Sequence, residues 1–305
     1  MTRAPATGRS LALVRWAHAR ASLSARLPAG AGGALLAALG VLGCSERFGP
    51  PFGAVPMEPP AIYALWWEQV EACTGVSGAL GDVDWYMIPL GRPLRSPDGK
   101  DAAGLYEREA HRITMAEEYR LRGNVVRHEM AHALTARSGH PRETFLGACE
   151  GVVDCPTSCV TAGGPPPEMG AEVPRIPPED LEIAIAVEPA TPSLQLLDGH
   201  FMLVITVTNP HAYDVVVTLP PSGDPGPPIA FSYSLFSIQG GSWYNGRIAD
   251  AGTAFFTAGQ TKRAVFDFRA GNAMDDDAVL PGLYEAKGGF SSRPYVAVTT
   301  IEILP

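Results

Sequence analysis

The stretch of this chain with the most chemistry in it is VVRHEMAHAL, residues 125–134. His128 and His132 stand four residues apart there, with Glu129 directly after the first histidine. On an α-helix a spacing of four advances the chain by about 6 Å and turns it by only about 40°, so both imidazoles leave one face and can converge on a single cation. Glu129 projects beside them, within reach of a water on that cation. Zn2+ lowers the pKa of a bound water toward about 7, and a nearby carboxylate can take its proton as the water attacks a polarised carbonyl. The plain alternative is a pair of histidines satisfied by core hydrogen bonds. The surrounding residues weigh against it, because Val125, Val126, Met130, Ala131, Ala133 and Leu134 make the segment apolar on more than one side. Such a helix is buried, and a buried helix does not hold two imidazoles and a carboxylate without partners.

A catalytic zinc takes a third protein ligand and keeps one position open. His140 is the nearest candidate, eight residues after His132 and just past Gly139. A turn at Ser138-Gly139 would fold it back toward the pair. An acidic residue on a following helix is the other solution, and Glu150 would fill that place better than Glu143, which comes too soon. Tyr106, Tyr119 and His111 are candidates for an oxyanion donor, with nothing to select among them. Trp66-Trp67 and Trp85-Tyr86 read as core packing. Asp275-Asp276-Asp277 lacks the alternating oxygen ligands and glycine of a calcium loop and reads as a solvated turn.

The elements that must position these groups follow from periodicity. AIYALWWEQVEACTG has apolar residues at helical spacing and stops at Gly75, which predicts a helix. VDWYMIPL and HRITMAEE read as strands. Asn124 is the expected N-cap of a helix beginning at Val125 and ending near Ser138-Gly139. Residues 61–160 are thus expected to form an α+β domain. Residues 161–180 (TAGGPPPEMGAEVPRIPPED) include six prolines and read as a linker. From 181 to 305 the texture becomes short alternating runs, LEIAIAV, FMLVITV, DVVVTL, AFSYSLF, RAVFDF and YVAVTTIEIL, separated by turn residues. That pattern predicts an all-β antiparallel sandwich.

Ahead of the compact part, Arg3, Arg9, Arg15, Arg20 and Arg26 precede an apolar run, AGAGGALLAALGVLGC, too short to span a bilayer comfortably. Val41-Leu42-Gly43-Cys44 resembles the lipobox of bacterial lipoproteins. The resemblance implies that residues 1–44 are an export signal, that Cys44 is lipidated, and that the protein is held in the cell envelope, at the outer membrane if there is one. Residues 45–60 (SERFGPPFGAVPMEPP) then read as a tether. Cys73, Cys149, Cys155 and Cys159 remain, an even number suited to disulfides in an oxidising compartment. Three pairings are possible; if all four are oxidised, Cys73 pairs with one of the other three. The net charge of −9 and pI near 5.3 argue against nucleic acid or an anionic membrane surface as the main partner.

His128-Glu129-x-x-His132 resembles the signature of zinc metallopeptidases. The metzincin spacing is not met, because Ser138 stands where that pattern has its third histidine. Together with the W-W-E-x-V-E-A-C-T-G segment, the V-D-W-Y run and G-H-P-R-E-T-F, residues 61–160 look like the zincin-like domain of uncharacterised bacterial lipoproteins. Thr208-Asn209-Pro210, Val265-Phe266-Asp267-Phe268 and Pro281-Gly282-Leu283-Tyr284 resemble immunoglobulin-like modules of the bacterial proteinase-inhibitor type. The resemblances imply an α+β zincin-like domain followed by an all-β antiparallel sandwich. They also imply a zinc-dependent metallopeptidase acting on a peptide or protein, with Glu129 as general base. The rival expectation is a surface-binding lipoprotein whose zincin-like domain is silent and whose sandwich holds a protein partner. Inhibition of a peptidase by the second domain is a weaker third.

Overall fold

The computed structural model describes residues 49–153, 155, 173–217, 229–240, 243–249, 255–271, 278–290 and 296–305. The expected export signal with Cys44, the first part of the Pro-rich linker, Cys159 and the Asp275–Asp277 triplet lie outside these residues.

The N-terminal elements are β1 (Val55–Pro56), α1 (Ile62–Thr74), β2 (Asp84–Ile88), β3 (Gly104–Glu107), β4 (Arg112–Ala116) and α2 (Gly123–Thr135). A π-helical turn, Thr144–Ala148, follows. Helix α1 forms where the apolar periodicity predicted it, burying Ile62, Tyr63, Trp66, Trp67 and Val70. It stops at Gly75, whose φ of 69° places it in the left-handed region that glycine enters without strain. The strands form one sheet in the order β1-β2-β4-β3, with β2 and β4 parallel and β3 antiparallel to β4 on the edge. Ile113 and Met115 of β4 pack against the helices, joined by Tyr63, Trp66, Trp85, Val126 and Met130.

The C-terminal strands are β5 (Arg175–Ile176), β6 (Glu182–Glu188), β7 (His200–Thr208), β8 (Val215–Val217), β9 (Ile229–Ser237), β10 (Trp243–Ala249), β11 (Phe255–Phe256), β12 (Thr261–Arg269), β13 (Gly282–Phe290) and β14 (Val296–Ile303). They make three further sheets, ordered β12-β7-β6, β10-β9-β13-β14 and β11-β8-β5. Strand β7 explains how the parts combine. Phe201 and Leu203 face a core shared with Leu235 of β9, Tyr284 of β13 and Ile301 of β14, and Ile205 and Val207 continue that face toward Phe231 and Phe290. Met202 and Val204, on the opposite face, join the core of the helices, as does Val265 of β12. A strand buried on both faces is apolar throughout rather than alternating, as HFMLVITVT is.

This arrangement corrects the expected fold class. The chain is not an α+β zincin-like domain followed by an all-β sandwich domain. Among the described residues it is mostly β, with four small sheets and two α-helices. The helices do not close a core of their own; they use the outer face of the β12-β7-β6 sheet, and Phe48–Pro305 form one compact unit. Strand-level reading could not show this, since the alternation of a single strand reports one buried face and is silent about what covers the other. The limits of α2 also differ from expectation. It begins at Gly123 with Arg122 as N-cap, and it ends at Ala136, which takes a left-handed φ of 51°. At Gly123, the first residue of the helix, a Cβ would collide with the Asp267 carboxylate of β12, so glycine is required there.

If the helices and strands share one core, urea unfolding of the full chain gives a single transition, coincident by tryptophan fluorescence and far-UV circular dichroism. Met202→Asp, which places a charge between the layers, is expected to cost more than about 3 kcal/mol. Two separated transitions would show that the layers fold independently.

Candidate metal centre

Helix α2 carries His128 and His132 on one face, and the turn that ends it brings back the third histidine. At Ala136 the chain reverses, the Arg137 N–H reaching the His132 carbonyl at 3.2 Å. The Arg137 carbonyl in turn accepts a hydrogen bond from His132 Nδ1 at 2.7 Å. A carbonyl can only accept, so Nδ1 carries the proton and Nε2 keeps its lone pair, the tautomer a ligating imidazole needs. His140 arrives three residues beyond Arg137, ahead of Pro141.

The three Nε2 atoms converge. His128 and His140 are 3.0 Å apart, His128 and His132 3.2 Å, and His132 and His140 3.2 Å. A tetrahedral zinc with bonds of about 2.0–2.1 Å would place its nitrogen ligands about 3.3 Å from one another. The observed triangle is close to one face of that tetrahedron. His128, His132 and His140 could therefore hold a metal ion. Beneath them lies Phe145, buried, with its ring centroid 5.0, 4.8 and 5.0 Å from the His128, His132 and His140 rings. Phe145 sits on the π-helical turn, a rare local distortion frequently found at functional sites. Its backbone N–H reaches the Pro141 carbonyl at 3.0 Å, tying the floor to the His140 turn. A disulfide between Cys73 and Cys149 ties the end of the same segment to the last turn of α1.

Glu129 is buried and lines the same cleft, of about 480 Å3. One wall is β3, where Gly104 makes room for the carboxylate: a Cβ there would lie 2.6 Å from Glu129 Cγ. The Tyr106 N–H donates to the Glu129 carboxylate. Burial raises the Glu129 pKa to about 8, with that hydrogen bond opposing it. Burial also lowers His132 to about 4, opposed by the Arg137 carbonyl and reinforced by His140, and lowers His140 as well. Both histidine shifts favour the neutral ring, which is the form that ligates. A cation among the nitrogens would draw the carboxyl pKa back down.

The other candidates lie elsewhere or do something else. Glu150 is not in the cluster; it is buried beside Lys262, whose Nζ is 3.2 Å from Oε2. Glu143 lies 3.9 Å from Arg137 in a solvent-exposed pair. Tyr106 lines the cleft, but its hydroxyl is held by His111 Nδ1 at 3.1 Å. Tyr119 borders a different cavity, under the Arg122 guanidinium. Trp66, Trp67 and Trp85 are core residues, and Tyr86 is half-buried on β2. Cys155 is disulfide-bonded, like Cys73 and Cys149. Phe145, Gly104 and the Arg137 carbonyl escape sequence reasoning, because no spacing rule links them to the histidines. A helix-ending turn right after the motif was the one legible hint of Arg137.

No protein-family model and no curated protein matches this chain. Among solved structures it is partly similar to a Pseudomonas fluorescens alkylpurine DNA glycosylase, AlkC, bound to DNA with an abasic-site analogue, at 11% identity over 41% of this chain and 30% of that one, with a TM-score of 0.28. A β-glucosidase from Listeria innocua gives 15% identity over 41% of this chain and 16% of that one, with a TM-score of 0.23. The putative ApaA protein of Bordetella pertussis gives 9% identity over 41% of this chain and 94% of that one, with a TM-score of 0.22. The chain thus spans less than a third of the first two proteins, and likenesses this slight carry no argument about the site.

Removing the floor tests the geometry directly. Phe145→Ala is expected to cost about 3–5 kcal/mol in urea denaturation and to weaken divalent-metal binding in chelator competition. Unchanged metal affinity would show that the rings hold their places without Phe145.

Proposed function

We propose that the protein is a zinc-dependent metallopeptidase. The observation that carries this reading is the convergence of three imidazole nitrogens to 3.0–3.2 Å beside a buried carboxylate in one cleft. His128, His132 and His140 are the zinc ligands, and all three are neutral nitrogen donors of the kind this borderline-soft ion accepts. Zinc, when bound, supplies Lewis acidity toward a carbonyl oxygen and a water of lowered pKa. Glu129 is the general base; its carboxylate, fixed by the Tyr106 N–H and the space over Gly104, receives the proton of the attacking water and passes it to the leaving amine. Glu129 is buried at the base of the cleft, where its electrostatic interactions are stronger than in water.

The substrate reading rests on β3. This strand is the edge of its sheet and forms a wall of the cleft beside the histidines, so an extended peptide can lie along it, although its Tyr106 N–H is already given to Glu129. We propose a peptide or protein as the substrate. The protein acts outside the cytoplasm, anchored through a lipid on Cys44. The Cys73–Cys149 disulfide supports an oxidising compartment. No helix among the described residues is long and apolar enough to cross a membrane.

Two substitutions separate ligation from chemistry. Glu129→Gln is expected to keep a full complement of zinc by elemental analysis while lowering peptide hydrolysis at least about 100-fold. His140→Ala is expected to lose zinc, whereas Glu150→Gln is expected to keep it. Full activity in Glu129→Gln, or retained zinc in His140→Ala, would remove the respective assignment.

A further inference from the structure

Helix α2 meets the rest of the molecule on two sides. Its histidines face the cleft, and Arg127, immediately before His128, faces the opposite way into the core. Arg127 is wholly buried, and each of its guanidinium nitrogens has a fixed partner. Nε donates to the Val152 carbonyl at 2.6 Å, while Nη1 and Nη2 donate to Oδ1 and Oδ2 of Asp267 at 2.8 and 3.0 Å. Asp267 belongs to β12, and its Oδ1 also accepts the Trp66 indole N–H of α1 at 2.8 Å. The same carboxylate fills the space over Gly123, the first residue of α2. One side chain from the C-terminal strands thus touches both helices and both ends of the first turn and a half of α2.

Geometry makes this contact matter for the metal centre. A guanidinium and a carboxylate joined by two parallel hydrogen bonds resist rotation about either bond axis, which a single hydrogen bond or a lysine does not. A roll of α2 by about 10° would carry a side-chain tip about 6 Å from the helix axis through about 1 Å. Metal–ligand distances tolerate only about 0.2 Å. His128 and His132 come from α2 and His140 from the turn beyond it, so such a roll would open the triangle of nitrogens on one side. The fork from Asp267 opposes that motion at Arg127, the neighbour of His128 about 100° round the helix.

We infer that Asp267 is a positioning residue of the metal centre: gripping Arg127, it sets the roll of α2, and the C-terminal strands are part of what holds the three imidazoles in register. The inference rests on the metal-binding half of the reading above and is independent of the substrate.

The test uses the full chain, with Zn2+ alone as probe in competition with a chromophoric chelator and Co2+ as a spectroscopic substitute. Absence of zinc binding by the unsubstituted protein would sink the metal centre itself, and this inference with it. Given zinc binding, Asp267→Asn is expected to raise the dissociation constant about tenfold, because the roll it permits exceeds the tolerance of metal–ligand distances, and to alter the Co2+ visible bands. The paired change Arg127→Met with Asp267→Leu replaces the buried ions by apolar groups, which commonly preserves stability. It leaves the Trp66 N–H and the Val152 carbonyl without these partners, so it is expected to stay folded with a somewhat lower urea midpoint yet bind zinc at least tenfold more weakly. This second variant separates positioning from folding if Asp267→Asn proves unstable. Zinc affinity and Co2+ bands unchanged in the folded paired variant would overturn the inference and leave the metal centre standing.

Discussion

Three nitrogen lone pairs can meet at one point only if everything behind them is fixed to a fraction of an ångström. In this protein that constraint falls on three different parts of the chain. The helix supplies His128 and His132 in mutual register. The left-handed residue Ala136 reverses the chain so that the Arg137 carbonyl fixes the His132 tautomer. The π-helical turn supplies Phe145, against which all three rings rest at nearly equal distance. Each device is local, and none would suffice without the others. Orientation of a ring by its far nitrogen leaves the near nitrogen free to wander unless the ring face is also supported.

The disulfide and the buried ion pairs extend the same logic outward. Cys73–Cys149 joins α1 to the segment that carries the aromatic floor across 76 residues of sequence, closing a long loop whose entropy would otherwise favour opening. Arg127–Asp267 and Glu150–Lys262 join the helical layer to β12. Buried ions such as these are poor sources of net stability, because desolvation offsets most of their attraction. Their value is directional, since a guanidinium fork admits few relative orientations. Close backbone contact adds to it: the Val265 N–H reaches the Gly151 carbonyl at 2.9 Å, and a Cβ on Gly151 would lie 2.6 Å from the Arg263 carbonyl. The layer that bears the histidines is thus keyed to the strands by polar groups set into an apolar contact.

How much of this is legible in the residues alone follows from the range of each interaction. The helical spacing of His128 and His132, the stop at Gly75, the strands at Asp84–Ile88 and Arg112–Ala116, and most C-terminal strands depend on periodicities of two or 3.6 residues, which neighbours in sequence determine. The need for glycine at the start of α2 is imposed by Asp267, far away in sequence, and leaves no local mark at Gly123. The fold class is not legible in the residues for a related reason. An apolar strand such as HFMLVITVT announces burial but not what buries it, so a sheet that serves two cores looks the same as the inner sheet of a separate domain.

The amino-acid order by itself determined that two imidazoles and a carboxylate share one helical face, since that follows from the pitch of the helix and nothing else. It also made His140 and Glu150 rivals, because chain distance cannot tell a donor that returns from one that departs. Only the tertiary structure decided between their positions. The reversal at Ala136 turns His140 inward, while the approach of β12 places Lys262 against Glu150 and occupies that carboxylate elsewhere. The reason is physical: a periodic backbone encodes direction over a few residues, whereas the meeting of three rings on one phenyl face is set by packing among segments that the sequence keeps apart.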